Sequence, residues 1–258
     1  MKIQFYKYQG TGNDFVIVDN RDKNFPSEDV SLIAKICDRK FGVGADGLML
    51  LENDATTDFK MIYYNADGNE SSMCGNGGRC ISAFARFLNV FENKASFTAI
   101  DGLHEVYYEN GLYHLKMIDV DAYAKDGNDT VLDTGSPHYV SFVENLQQMD
   151  VLRAGADIRY NDVYRKDGIN VNFATVNEDG IEVRTYERGV ENETLSCGTG
   201  VTAVAIAAHA NGLYKRNPVP LKVGGGRLQI RFETANNTYQ NIWLIGPAEQ
   251  VFSGQMSI

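Results

Sequence analysis

A chain of 258 residues with 43% hydrophobic and 22% charged residues can build a full core without disulfide staples. That balance excludes a disordered chain, and no apolar run approaches the roughly 18 residues of a membrane span. The 24 basic and 34 acidic side chains give a formal charge of −10, which repels polyphosphate and leaves no basic stripe for nucleic acid.

Met1 to Gly10 (MKIQFYKYQG) has no apolar signal-peptide core and reads as a first strand, so the expectation is a cytoplasmic protein. In a reducing compartment the four cysteines, Cys37, Cys74, Cys80 and Cys197, read as thiols rather than bridges. An anionic ligand would then be held by helix N-termini and single arginines.

Alternation over Lys2 to Tyr8 leads through the turn Gly10 to Asp14 into a second strand, Phe15 to Asp19. From local sequence alone Asn13 serves that turn. Pro26 and Ser27 introduce a helix with Val30, Ile33, Ala34 and Cys37 on one face, which makes Cys37 a core thiol. The glycine-rich loop Phe41 to Gly47 is neither a P-loop nor a dinucleotide fingerprint, because no Gly-Lys-Ser/Thr follows and no helix opens there. Strands follow at Leu48 to Leu51 and Phe59 to Tyr64, and the polar loop Asn65 to Asn69 delivers the chain to Cys74. After Gly78, the residues Ile81, Phe84, Ala85 and Leu88 form a helical apolar face, with Cys80 packed beside it. Strands alternate from Ala95 to Val120, with turns at Asp101-Gly102 and Asn110-Gly111.

At that point the chain starts again. Gly12 precedes Cys74 by 62 residues, and Gly135 precedes Cys197 by 62. Between these anchors the order recurs: a glycine turn into a strand (Tyr139 to Val143), an Asp-Val helix start (Asp29-Val30, Asp150-Val151), strands, a polar loop, Cys-Gly, and a helix. Two similar halves are expected, residues 1–116 with 247–258 and residues 117–246. The second helix, Val201 to Ala210, is apolar nearly all round and reads as a helix enclosed by strands. Arg227 to Phe232, Asn241 to Ile245 and Glu249 to Ile258 are strand-like.

Taken singly, each cysteine reads as structural. There is no Cys-x-x-Cys, Cys-x-x-His or His-Glu-x-x-His, and the four histidines are scattered, so no metal site is expected. As a pair at helix starts, Cys74 and Cys197 admit two chemistries. They could bridge on oxidation as a redox or binding protein. Alternatively, a thiolate could remove a proton from one face of a carbon while a thiol returns one to the other, which inverts stereochemistry. Backbone N–H groups at Gly75, Asn76, Gly198 and Thr199 would then face the substrate carboxylate and stabilise the charge that develops. Asn65 precedes Cys74 by nine residues and Glu187 precedes Cys197 by ten, each after a strand-ending tyrosine. Arg188 is the natural partner for a second carboxylate. A lone Glu-Arg pair at a strand end is ordinarily a solvated surface pair, and its place in the repeat is what singles this one out.

At these residues the sequence closely resembles the diaminopimelate epimerase family. The resemblance covers almost the whole chain through GTGNDFVIVDN (Gly10 to Asn20), FGVGADGL (Phe41 to Leu48), YNADGNESSMCGNGGRC (Tyr64 to Cys80), GSPHYV (Gly135 to Val140), NVNF (Asn170 to Phe173) and RTYERGVENETLSCGTG (Arg184 to Gly200). It implies a cofactor-independent isomerase that interconverts LL- and meso-diaminopimelate with Cys74 and Cys197 as acid and base. Asn13, Gly75, Asn76, Gly198 and Thr199 would hold the reacting end, and Asn65, Asn170, Glu187 and Arg188 the distal end. His138 and Glu187 would adjust thiol protonation. The implied fold is α+β: two pseudo-symmetric halves, each a mainly antiparallel strand barrel around a central helix, with the last strand returning to the first half. A homodimer without nucleic-acid or membrane partners is also implied.

This chain departs from the family pattern in three places, one of them near Gly47, where the glutamine of some members has no counterpart to carry over. Ser136 stands where Asn-Pro-His is common, and Glu191-Asn192 lengthens the loop before Cys197 by one residue. A proline or hydroxyproline racemase of the same fold is the nearest rival, but it has histidine where Asn76 stands and no need of Glu187-Arg188.

Overall fold

The computed structural model describes residues 2–257. The expected first and last strands also took in Met1 and Ile258, which lie outside the described residues. By its contacts the chain divides into two compact units, Met1–Leu115 with Pro247–Ile258, and Lys116–Gly246.

The first run of elements is β1 (Lys2–Gly10), β2 (Asn13–Asp19), α1 (Val30–Cys37), β3 (Gly47–Glu52), β4 (Phe59–Asn65), β5 (Glu70–Ser71), α2 (Gly75–Phe87), β6 (Lys94–Ala99), β7 (Gly102–Glu109) and β8 (Leu112–Lys116). The second is β9 (Tyr123–Asp126), β10 (Asp129–Asp133), β11 (Pro137–Phe142), α3 (Val151–Arg159), β12 (Asn170–Asn177), β13 (Gly180–Glu187), β14 (Asn192–Thr194), α4 (Gly198–Ala210), β15 (Val219–Val223), β16 (Gly226–Ala235) and β17 (Thr238–Gly246). β18 (Glu249–Ser257) follows.

Within the first unit the strands pair in the order β18, β1, β2, β3, β4, β6, β7, β8, with β5 a short partner of β4. β2–β3 and β4–β6 are parallel, and α1 and α2 supply the crossovers that parallel neighbours require. Within the second unit the order is β9, β10, β11, β12, β13, β15, β16, β17, with β14 on β13 and parallel pairs at β11–β12 and β13–β15. From β1 to β8 the first pattern becomes the second with nine added to each label. β9 lies beside β10, and β18 takes the equivalent place beside β1. The fold is α+β, as expected.

Local chemistry accounts for the turns and helix starts. The β1–β2 and β7–β8 hairpins turn on Thr11-Gly12 and Asn110-Gly111, both pairs at positive φ, the geometry of a two-residue primed turn. Asp29 and Asp150 cap α1 and α3 by accepting from the amides of Leu32 at 2.9 Å and Arg153 at 3.1 Å.

The central strands are covered on both faces, which is why β3 (GLMLLE) is buried at every position and does not alternate. Leu48 and Leu50 join Val16, Val18, Ile33, Ile36 and Cys37 in the core under α1. The other face is taken by α2, buried from Gly75 to Ala85. In the second unit Val171, Phe173 and Tyr186 pack with Val151 of α3, and α4 is buried on almost every side.

Three details differ from the sequence reading. The buried face of α1 is Ile33, Ile36 and Cys37, whereas Val30 is 45% exposed and Ala34 half-buried. Val30 shares that side by periodicity, but it stands in the first of only two turns. β9 and β10 were not anticipated, because their short polar runs fill only one face. β15 was also missed: Pro220 interrupts its pattern, yet it pairs in parallel with β13.

Candidate functional site

In the first unit Cys74 is the N-cap residue of α2. Its backbone is extended, and its sulfur accepts the amide of Gly77 at 3.2 Å, the place a capping oxygen usually takes. The thiol is half-buried. Asn13 Oδ1 lies 3.9 Å from Sγ and accepts from Asn76 Nδ2 at 3.2 Å. The Asn13 amide donates to Asp46 Oδ2 at 2.6 Å, so its oxygen is the end turned toward the thiol.

Asp46 is itself fixed by Arg39 at 2.7 Å, and Arg39 also clamps Asp14 with contacts of 2.7 and 3.1 Å. Lys7, almost wholly buried, reaches Asp14 Oδ2 at 2.6 Å and donates to the Gly44 carbonyl. Burial alone would raise the Asp14 carboxyl, but hydrogen bonds from Arg39 and Lys7 hold it well below the usual carboxylate range. Asn13 therefore hangs from an ion network.

The structure joins Asn13, Cys74, Gly75 and Asn76 into one cluster. Asn65 ends β4 with its side chain exposed, outside the hydrogen bonds of that cluster. Burial pushes the Cys37 thiol up to about 12 and raises Cys80 further still. Both therefore stay protonated and inert at neutral pH, as packing residues should.

In the second unit Cys197 is the N-cap residue of α4 and is 7% exposed. Its sulfur lies 3.4 Å from the Thr199 hydroxyl, and the Thr199 carbonyl accepts from Thr134 Oγ1 at 2.9 Å. A Cβ on Gly200 would stand 2.5 Å from Asn172 Oδ1 and 3.3 Å from Cys197 Sγ, so only glycine lets Asn172 approach this helix start.

Asn172 organises the buried polar layer behind the helix start. Its Oδ1 accepts from Thr185 Oγ1 at 2.9 Å, and its Nδ2 donates to the Tyr139 carbonyl at 3.0 Å and to His138 Nδ1 at 3.1 Å. Burial, with a lesser contribution from the Arg188 charge, pulls His138 down to about 3.

Beside this layer, Asn170 Nδ2 donates to Ser136 Oγ at 2.8 Å and to the Pro137 carbonyl at 3.1 Å. Asn170 Oδ1 accepts the Arg188 amide at 2.9 Å. The Arg188 guanidinium donates to Ser136 Oγ at 3.2 Å and to the Asp167 carbonyl at 3.2 Å. Ser136, Asn170 and Arg188 thus form one hydrogen-bonded set that runs from the buried Asn170 through the half-buried Ser136 to the exposed Arg188, whose guanidinium suits a carboxylate. Glu187 accepts from Thr194 Oγ1 at 2.7 Å. The longer loop is held by Glu191, whose carboxylate accepts from Tyr186 Oη and the Gly189 amide at 3.1 Å and pairs with Arg159 at 3.4 Å.

Sequence reasoning missed Thr11, Asp46 and Arg79 in the first unit, and Thr134, Asn172 and Thr185 in the second. One signal was present for Asn172: in NVNF, strand alternation puts Asn170 and Asn172 on the face opposite Val171 and Phe173.

The family described as diaminopimelate epimerase matches residues 5–110 and 130–251. A Flavobacterium psychrophilum protein named diaminopimelate epimerase is 54% identical over 252 residues, covering 97% of this chain and 98% of the relative. The structure of a Bacillus anthracis phenazine biosynthesis protein of the PhzF family superposes with a TM-score of 0.77 at 15% identity, over 100% of both chains. That of a hydroxyproline epimerase from Agrobacterium vitis gives 0.70 at 14% identity, over 99% of this chain and 91% of that one. The two structural likenesses carry the fold alone.

Proposed function

The chain belongs to the diaminopimelate epimerase family and is an isomerase, and from that premise we propose that Cys74 and Cys197 are the acid and base that epimerise LL-diaminopimelate to meso-diaminopimelate. The observation that carries this assignment is their equivalence: each stands at the N-cap position of a buried, glycine-opened helix at the same place in two units of the same strand order.

The thiolate of one cysteine takes the α-proton from one face, and the thiol of the other delivers a proton to the opposite face. Exchanging the two protonation states runs the reverse reaction. As the proton leaves, negative charge spreads into the α-carboxylate. The amides of Gly75, Asn76, Gly198 and Thr199 open the two helices where that charge would be held, a contribution typically of about 3 kcal/mol per donor. Asn13 and Asn76 orient the reacting amino-acid end. Asn170, Arg188 and Ser136 bind the distal carboxylate, while Asn65 and Glu187 take the distal ammonium. His138 stays neutral and tunes thiol protonation without competing for the proton in flight.

The two compact units are the two halves of this enzyme. It works in the cytoplasm on the route to lysine and peptidoglycan precursors, without pyridoxal phosphate or a metal. It acts as a homodimer, for which the exposed Val251 and Phe252 of the otherwise polar edge strand β18 offer apolar contacts.

The deciding experiment is solvent exchange. With LL-diaminopimelate in D2O, reduced enzyme is expected to place deuterium at one α-carbon as the meso form appears. Absence of uptake sinks the assignment, and faster uptake into proline run alongside favours the racemase reading.

A further inference from the structure

Arg79 is the largest fully buried side chain among the described residues, at 0% exposure. It lies one turn into α2 and folds back toward the helix start that Cys74 caps. Among the described residues no carboxylate pairs with it. Its partners are neutral oxygens: Asn76 Oδ1 at 3.1 Å, Thr11 Oγ1 at 3.2 Å, the Pro247 carbonyl at 3.3 Å and the Gly75 carbonyl at 3.4 Å. A cation in this position is opposed twice. Burial strips its hydration, and the N-terminal end of a helix is already positive. Space has been cleared for it nonetheless, since a Cβ on Gly10 would meet Arg79 Nη2 and Cys80 Sγ at 3.2 Å.

The contacts also have a direction. Arg79 can only donate, so Asn76 must turn its oxygen to the guanidinium and its NH2 to Asn13. Asp46 can only accept, so Asn13 must turn its NH2 to Asp46 and its oxygen toward Cys74 and Asn76. A cation at one end and an anion at the other thus lock both amides. The remaining titratable groups of this region do not neutralise the guanidinium. Cys80, Tyr8 and Tyr113 are all raised by burial and stay uncharged, Asp14 is spent on Lys7 and Arg39, and Asp46 on Arg39 and Asn13. Burial lowers Arg79 itself to about 10, so it keeps its charge at neutral pH, and an ionised Cys74 acts on it in the opposite sense.

We propose that Arg79 is a positioning residue of the Cys74 site: it locks Asn76 and Asn13 in the one orientation that serves the thiol, and it is the standing positive charge against which the Cys74 thiolate and the reacting carboxylate form. This rests on Cys74 being a proton-transfer thiol. A buried ion that weakens the fold yet satisfies the site is the exchange expected where local rules give way to function.

The test follows ionisation of Cys74 directly, by the rate of iodoacetamide alkylation against pH in a Cys197→Ser background. Arg79→Gln is expected to move the curve up by at least one pH unit. In the chain with both cysteines it should cut kcat about 100-fold with KM within about threefold. Arg79→Lys, which keeps the charge, should restore most of the curve. A folded Arg79→Gln variant with an unmoved curve, or a lysine variant as defective as the glutamine one, overturns the proposal. Should the glutamine variant not fold, the unsubstituted chain decides: the Arg79 Nε–H resonance in nitrogen-15 NMR must follow Cys74 ionisation with the midpoint of the alkylation curve, and a resonance that ignores it overturns the proposal. Both readouts are independent of turnover, so an active Cys74→Ala variant would refute the catalytic reading separately.

Discussion

Asn172 Nδ2 donates to His138 Nδ1 at 3.1 Å, which leaves the imidazole proton on Nε2. The assignment is firm because the same NH2 donates to the Tyr139 carbonyl while the amide oxygen accepts the Thr185 hydroxyl. An imidazole held in this way, fully buried and lowered to about 3, resists protonation in the folded state.

Stability should therefore depend on pH through His138. An unfolded histidine titrates near pH 6.5. Below that value the unfolded chain takes up a proton that the folded chain refuses, so stability is full above about pH 6.5 and falls as the pH drops toward about 3. The slope from this one group approaches about 1.4 kcal/mol per pH unit. Urea denaturation of the protein and of His138→Gln at pH 7, 6, 5 and 4 should show a shallower decline in the variant, and parallel declines would refute the assignment.

The thiols should separate by function. Cys74→Ala and Cys197→Ala are each expected to lower epimerisation by about 1,000-fold or more while leaving a folded protein. Cys37→Ala, in the core under α1, should cost about 1 kcal/mol of stability and leave kcat within about twofold. Turnover and thermal unfolding of the three variants decide it, and full activity in either of the first two rules out the two-base assignment.

For the distal end, Arg188→Ala should raise KM for diaminopimelate at least tenfold, about 1.4 kcal/mol, with kcat changed far less. Ser136→Ala should have a smaller effect of the same kind, since Ser136 Oγ takes one Arg188 contact at 3.2 Å and one from Asn170 at 2.8 Å. Steady-state kinetics check both, and an unchanged KM for Arg188→Ala would move the carboxylate elsewhere.

Gly200→Ala puts a methyl group 2.5 Å from Asn172 Oδ1, so Asn172 or the start of α4 has to shift. Overpacking of this kind is expected to cost about 1–3 kcal/mol in urea denaturation and to lower kcat through displaced Cys197 and Thr199. A variant as stable and active as the parent would show that Asn172 has no fixed place behind Cys197.

The internal repeat, the two capping cysteines, the Asp-capped helices and the enclosed α4 were all legible in the chain, because each is a local pattern of spacing or of turn and cap residues. Cys80 and Cys37 were likewise placed as packing thiols by helical periodicity. The strand content was less complete, since β15 carries Pro220 and β9 alternates weakly. The face of α1 was misread at Val30 because periodicity reports direction but not how far a covering sheet extends.

By itself the sequence determined the α+β class, the doubled order of elements and which two cysteines stand at helix starts. These follow from short-range rules that need no partner. Only the tertiary structure decided that Arg79 is buried without a carboxylate, that Asp46 and Arg79 set the two asparagine amides, and that Asn172 keeps the proton of His138 on Nε2. Each of those depends on residues far apart in sequence meeting at one point. The charge, tautomer and amide orientation of a buried group are set by the neighbours that replace its water, and no local pattern names those neighbours.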